Sequence, residues 1–259
     1  MTARRWLARV NVLGIATFLA LIGLWELVVR SGAVTFDYLP APSEIASAFW
    51  TLLRSGELPR NARHTLEAVA IGWVIAMAGG LAIGTLVGIS RRAWAYSMSS
   101  IDFSRSLPAI AFVPAAVLVF GFSLKMELVV IVYASLWPVI INTVGGVQHV
   151  PDRLRDVART FGLTPLRTIL KILLPGAFPS ILVGARLAMT TSLVLAVIAE
   201  MIGNPSGLGY ALVFAQQALQ PAQMWAYIMV IGLLGVVLNG VLVAASRLLP
   251  GGTSVGTAR

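Results

Sequence analysis

A polar island between Pro151 and Pro175 interrupts an otherwise hydrophobic chain and carries five basic residues, Arg153, Arg155, Arg159, Arg167 and Lys171. Pro151 suits a first helical position, and Asp152 and Asp156 stand early in that helix, where negative charge is favoured. Leu154, Val157, Ala158 and Phe161 fall on one helical face, with arginines and Thr160 spread over the others. Gly162 falls where a left-handed helix end needs glycine. Thr164-Pro165 then reads as an N-cap and first-position proline of a second helix. The chemistry this suits is contact rather than catalysis. A first helix of about 12 residues is marginal alone and must pack on something. On composition alone it reads as an interfacial amphipathic anchor.

Other polar residues lie inside hydrophobic runs. An unpaired arginine at the centre of a membrane helix costs about 2.5–3.5 kcal/mol on insertion scales. Arg186, expected about 9 Å from the start of its span, therefore either snorkels to the interface or lines a pathway. Glu200, near the far end of the same span, is expected at an outer loop, at a gate or at the interface, and Glu26 at the interface. Thr190, Thr191 and Ser192, like Asn142 and Thr143, form small polar patches that suit either helix packing or a solute path. No paired carboxylates or Ser/His/Asp set converge on an active site, and no G-x-x-x-x-G-K-[ST] loop is present to hold ATP. His64 and His149 are too few and too far apart in sequence to suggest a metal centre, so no metal site is expected. Gly203, Gly207 and Gly209 form a lysine-free, glycine-rich turn. The chain has no cysteine, which excludes disulfides and thiol nucleophiles.

The elements positioning these residues follow from composition. The 259 residues are 58% hydrophobic and 11% charged, less than half the charge of an ordinary soluble domain. Such a chain cannot cover itself in polar surface, so its solvent is lipid. Its net charge of +9 then reads as membrane topology rather than nucleic-acid binding. Charge-free runs of roughly 20 residues predict six spans near 10–29, 68–90, 100–121, 126–147, 179–202 and 224–247, the third interrupted by Pro108 and Pro114. An inside N-terminus puts twelve basic residues inside and five outside, with both termini cytoplasmic. Residues 1–66 are expected to hold the first span and a periplasmic amphipathic helix starting at Pro42-Ser43-Glu44. Residues 67–249 would form a five-helix core containing the loop 150–178, followed by a short cytoplasmic tail, 250–259. Gly79-Gly80 and Gly84…Gly88 suit close helix approach within or between subunits.

Asp156, Ala158, Gly162, Ile172, Leu174 and Pro175 keep a spacing that resembles the EAA loop of ABC-importer inner-membrane permeases. Asp156 stands where that pattern has Glu, and Val157 where it has its first Ala. Ser106-Leu107-Pro108-Ala109-Ile110-Ala111-Phe112-Val113-Pro114, Ala199-Glu200-Met201-Ile202-Gly203 with Gly207-Leu208-Gly209-Tyr210, and Leu39-Pro40-Ala41-Pro42-Ser43-Glu44 resemble the taurine, alkyl-sulfonate and nitrate subgroup. The resemblance implies an all-α, type I ABC-importer permease fold in a bacterial inner membrane. It also implies a homodimer, cytoplasmic ATPase subunits that hold ATP and Mg and dock on residues 151–175, and a periplasmic or lipid-anchored solute-binding protein. No cofactor is expected in this chain. The competing expectation is an ion-coupled carrier or channel, which would show midplane charges or inverted repeats. No repeat is evident, and midplane charges are few.

Overall fold

The structure, a computed structural model, describes residues 12–32, 38–202 and 204–247. The N-terminal arginines, the tail 250–259 and Gly203 lie outside the described residues. Every regular element among the described residues is helical. This follows from the solvent, because in lipid each backbone donor and acceptor must be satisfied within its own segment. The chain divides into two compact units, residues 1–59 with 211–230, and residues 60–210 with 231–259.

In the first unit, α1 (Val12–Arg30) is an apolar span whose side chains are largely exposed, as a lipid-facing helix requires. Its Glu26 does more than sit at an interface. The carboxylate accepts from the Ser43 backbone N–H at 3.0 Å and from the Ser43 hydroxyl at 2.7 Å, and pairs with Arg30 at 2.6 Å. It thereby ties α1 to the start of α2 (Pro42–Arg54), the amphipathic helix expected from Pro42-Ser43-Glu44. Glu44 accepts from the Ala41 N–H at 3.1 Å, which satisfies one of the free donors of that helix start. In the same unit Trp25 packs edge-on against Trp225, and the Trp225 indole donates to the Tyr38 carbonyl at 3.0 Å.

In the second unit the central pair is α6 (Leu124–Gln148) and α9 (Leu174–Ile202). Met126, Val130 and Ile131 of α6 are buried with Leu193, Ala196 and Ala199 of α9 and Val113. Inside the pair, the Ser135 and Ser192 hydroxyls meet at 2.8 Å, fully buried. α3 (Glu57–Ile89) packs along α6 through a glycine stripe. A Cβ at Gly84 would stand 2.7 Å from Thr143 Cβ and 2.9 Å from the Ile140 carbonyl, and one at Gly80 would stand 2.6 Å from Val139. The expected close approach is therefore made within the subunit. α3 begins ten residues before the expected core boundary at 67, because Gly56, at φ +77°, ends the preceding turn and Glu57 opens the helix.

The expected third span departs most. It is two helices, α4 (Arg91–Ser106) and α5 (Val113–Phe120), joined through a short 3-10 turn at Ala109–Phe112, with the halves bent by 74°. Pro108 makes the break, and the Tyr133 hydroxyl donates to the Ser104 carbonyl at 2.6 Å beside it. Pro114 is no interruption, since it lies in the first turn of α5, where no donor is needed. Among the described residues, then, five helices are long and apolar enough to cross a membrane, and the bent pair is a sixth candidate.

Candidate functional site

The polar island folds as α7 (Asp152–Thr160), a glycine corner and α8 (Pro165–Thr168), which runs through a π turn at Ile169–Leu173 into α9. Pro151 is the residue before the helix rather than its first, and Thr164 opens α8 by its extended backbone without a side-chain cap. Gly162 has φ +61°, its N–H donates to Arg159 O at 3.0 Å, and the Leu163 N–H donates to Ala158 O at 2.9 Å. This is the paired-bond helix ending that a left-handed residue permits. The Arg155 guanidinium donates to the Val147 carbonyl at 2.9 Å and tethers α7 to the end of α6.

The six motif residues separate by depth. Ala158 is buried, and Ile172 and Leu174 pack on the core made by Val147, Val150, Leu173, Ala177 and Ile181. Asp156 and Pro175 are exposed, and among the described residues Asp156 pairs only with Arg159 of its own helix, at 3.4 Å. The expected apolar face splits. Ala158 turns inward, whereas Leu154, Val157 and Phe161 lie outward, Phe161 with 77% of its surface open. An outward apolar stripe flanked by arginines on a short helix is a surface suited to a partner.

Arg186 lies in the first half of α9, which begins at Leu174. It stands twelve residues past Leu174, about 18 Å along the helix. It borders a cavity of about 520 Å³ with Thr190, Leu193, Gly235 and Asn239, and its Nε is buried without a hydrogen-bond partner. Thr190 and Thr191 bond their own helix, to Arg186 O at 3.2 Å and Leu187 O at 2.9 Å. Asn142 donates to the Pro138 carbonyl at 2.8 Å, beside Gly184 of α9. Of the five expected pathway residues, only Arg186 and Thr190 line this cavity.

Glu200 lies at the other end of α9 and is fully buried. One carboxylate oxygen accepts from the Thr65 hydroxyl at 3.0 Å and from the Gly209 N–H at 2.8 Å. Thr65 in turn accepts from the Leu208 N–H at 2.9 Å. Gly207 has φ +98°, and a Cβ there would collide with the Glu200 carboxylate, so the glycine turn exists to close over this group. Next to it the His64 Nε2 lies 3.0 Å from Oε1 of Glu127, also fully buried, and 3.2 Å from the Asn204 amide nitrogen. Sequence reasoning missed His64, Thr65, Glu127 and Asn204. Glu127 sits 63 residues from His64 with no spacing to link them, and the one available signal was a carboxylate at the mouth of an apolar run.

The family model described as "Binding-protein-dependent transport system inner membrane component" matches residues 72–250. The chain is 33% identical over 215 residues to a putative aliphatic sulfonates transport permease protein, SsuC, of Bacillus subtilis (strain 168), covering 83% of this chain and 78% of the relative. It is 30% identical to the nitrate import permease protein NrtB of Leptolyngbya laminosa, covering 90% and 86%. A solved inward-facing structure of the MetNI methionine ABC transporter superposes with a TM-score of 0.59 at 17% identity, over 75% of this chain and 96% of that one. That likeness shows a shared fold, the type I importer permease fold.

Proposed function

The chain belongs to the family of binding-protein-dependent transport system inner membrane components, and from this premise we propose that it imports a small anion, sulfonate-like or nitrate-like, by alternating access. It is an ABC-importer permease of the sulfonate and nitrate subgroup. The observation that carries the reading is the family match across 72–250, which includes the whole polar island. ATP binding in partner subunits closes them against two copies of the island and turns the pathway outward. Asp156, Gly162 and the exposed Leu154, Val157 and Phe161 make the contact. Ala158, Ile172, Leu174 and Pro175 join that contact to α9. Both termini and the island are cytoplasmic, and a solute-binding protein delivers from the opposite face.

The anion preference is supported by Arg186. A guanidinium beside a cavity within an apolar span stabilises an anion and repels a cation. Thr190 adds a hydroxyl at the same cavity. The permease is tested with its ATPase in proteoliposomes supplied with the binding protein and either an alkyl sulfonate or nitrate. Arg186→Gln is expected to lower uptake about tenfold or more with ATP hydrolysis retained, in line with the loss of one charge-assisted contact. Gly162→Trp is expected to keep the complex assembled but stop uptake. Wild-type uptake by Arg186→Gln removes the anion path. Wild-type uptake by Gly162→Trp removes the coupling role.

A further inference from the structure

We propose that His64, Glu127 and Glu200 form a binding site for one first-row divalent cation, of which Zn²⁺ is the type, at the end of the second unit remote from the polar island. One ligand atom from each of the three residues lies within 4.8 Å of the other two. A tetrahedral ion about 2.0–2.2 Å from each ligand holds its ligands about 3.3–3.6 Å apart, so the set closes on an ion when the farthest pair draws together by about 1–1.5 Å, within reach of side-chain rotation. The three residues come from the start of α3, the start of α6 and the end of α9, elements already packed together.

Two further observations point to a ligand. Glu127 Oε2 and Glu200 Oε1 are both buried with no hydrogen-bond partner, on residues with no exposed surface. Buried carboxylate oxygens without donors are costly, and a cation removes that cost for both at once. The remaining contacts orient the ligands as metal sites require. Thr65 and Gly209 hold the second oxygen of Glu200, leaving the first free. Asn204 stands 3.2 Å from the His64 Nε2 with its amide nitrogen, an awkward neighbour for a ring nitrogen that also faces a carboxylate. Turning that amide over presents an oxygen as a fourth ligand. One imidazole and two or three oxygens fit Zn²⁺ or Mn²⁺ rather than a soft, thiolate-seeking ion. The bound ion would pin residues 204–209 to α3 and α6. It does not depend on which solute is carried.

The test uses the permease–ATPase complex purified without a histidine tag, stripped with chelator, then dialysed against Zn²⁺ or Mn²⁺ and assayed by elemental mass spectrometry. Wild type is expected to retain about one ion per permease chain more than the His64→Gln and Glu127→Gln complexes, whose affinity falls by at least the roughly 10–100-fold that loss of an outer-shell partner costs. Co²⁺ soaked into the wild type should give visible d–d absorption that Zn²⁺ displaces, which needs no variant to fold. Zn²⁺ should also raise the melting temperature of the stripped wild type and not that of His64→Gln. Equal loading of wild type and variants, or no retained ion and no Co²⁺ spectrum in the wild type, overturns the site.

Discussion

At the scale of residues, three positions carry most of the local information. Gly207 has a left-handed backbone and no room for a Cβ against the Glu200 carboxylate. Gly207→Ala is expected to lose at least about 1–3 kcal/mol, the range of backbone strain alone, read as a lower melting temperature of the purified complex. Thr65 donates to Glu200 and accepts from the Leu208 N–H, so Thr65→Val leaves a buried donor and a carboxylate oxygen short of a partner. A loss of about 1–3 kcal/mol is expected, against near-neutrality for Thr51→Val, whose exposed hydroxyl bonds only its own helix. Leu219 is the contrary case. It has φ +55° and closes α10 (Leu208–Gln217) with the paired bonds from Leu219 N–H to Gln216 O and from Gln220 N–H to Ala215 O. A leucine pays about 1–2 kcal/mol for that conformation, and its side chain is mostly exposed, so Leu219→Gly is expected to raise the melting temperature. Gly162 was readable from sequence because a helix ending is a local event. Glu200 was readable only as a carboxylate near a span end, because its partners come from residues 65 and 209.

At the scale of elements, the amphipathic pattern of α7 is sound but its inward face is narrower than the sequence suggests. Four residues share a helical face, yet α7 sits against the rest of the unit through Ala158 and the Arg155 tether, and Phe161 is left outside. A phenylalanine so placed costs the isolated chain nothing to remove. Phe161→Asp is therefore expected to leave permease melting unchanged and to weaken ATPase association about tenfold or more, measured by co-purification and titration, as for an aromatic anchor at an interface. The α3–α6 stripe behaves oppositely. Gly84→Leu overpacks Thr143 and the Ile140 carbonyl, and is expected to cost at least about 1–3 kcal/mol. The 74° break after Ser106 shows why prolines in one run must be weighed separately. Pro108 follows a completed helix and stops it, whereas Pro114 starts one.

At the scale of the whole molecule, topology is testable because the chain is cysteine-free. Single cysteines at exposed positions report sidedness with no background. Phe161→Cys is expected to react with a membrane-impermeant maleimide only in inside-out vesicles, and Ser55→Cys or Pro205→Cys only in right-side-out ones. What the sequence by itself determined here is what local chemistry determines: that the chain is helical and lives in lipid, roughly where it crosses, where helices stop, and which family it resembles. A 20-residue apolar run, a proline or a corner glycine acts within one turn of itself, so its consequence is written where it stands. Only the tertiary structure decided which polar residues meet. It moved Arg186 to a cavity, spent Asn142 and Thr191 on their own helices, and brought His64, Glu127 and Glu200 together from three helices. The physical reason is that burial of a carboxylate depends on which helices pack around it. That packing is set by the glycine stripe, the α6–α9 core and the glycine turn acting jointly, and no single stretch of chain contains it.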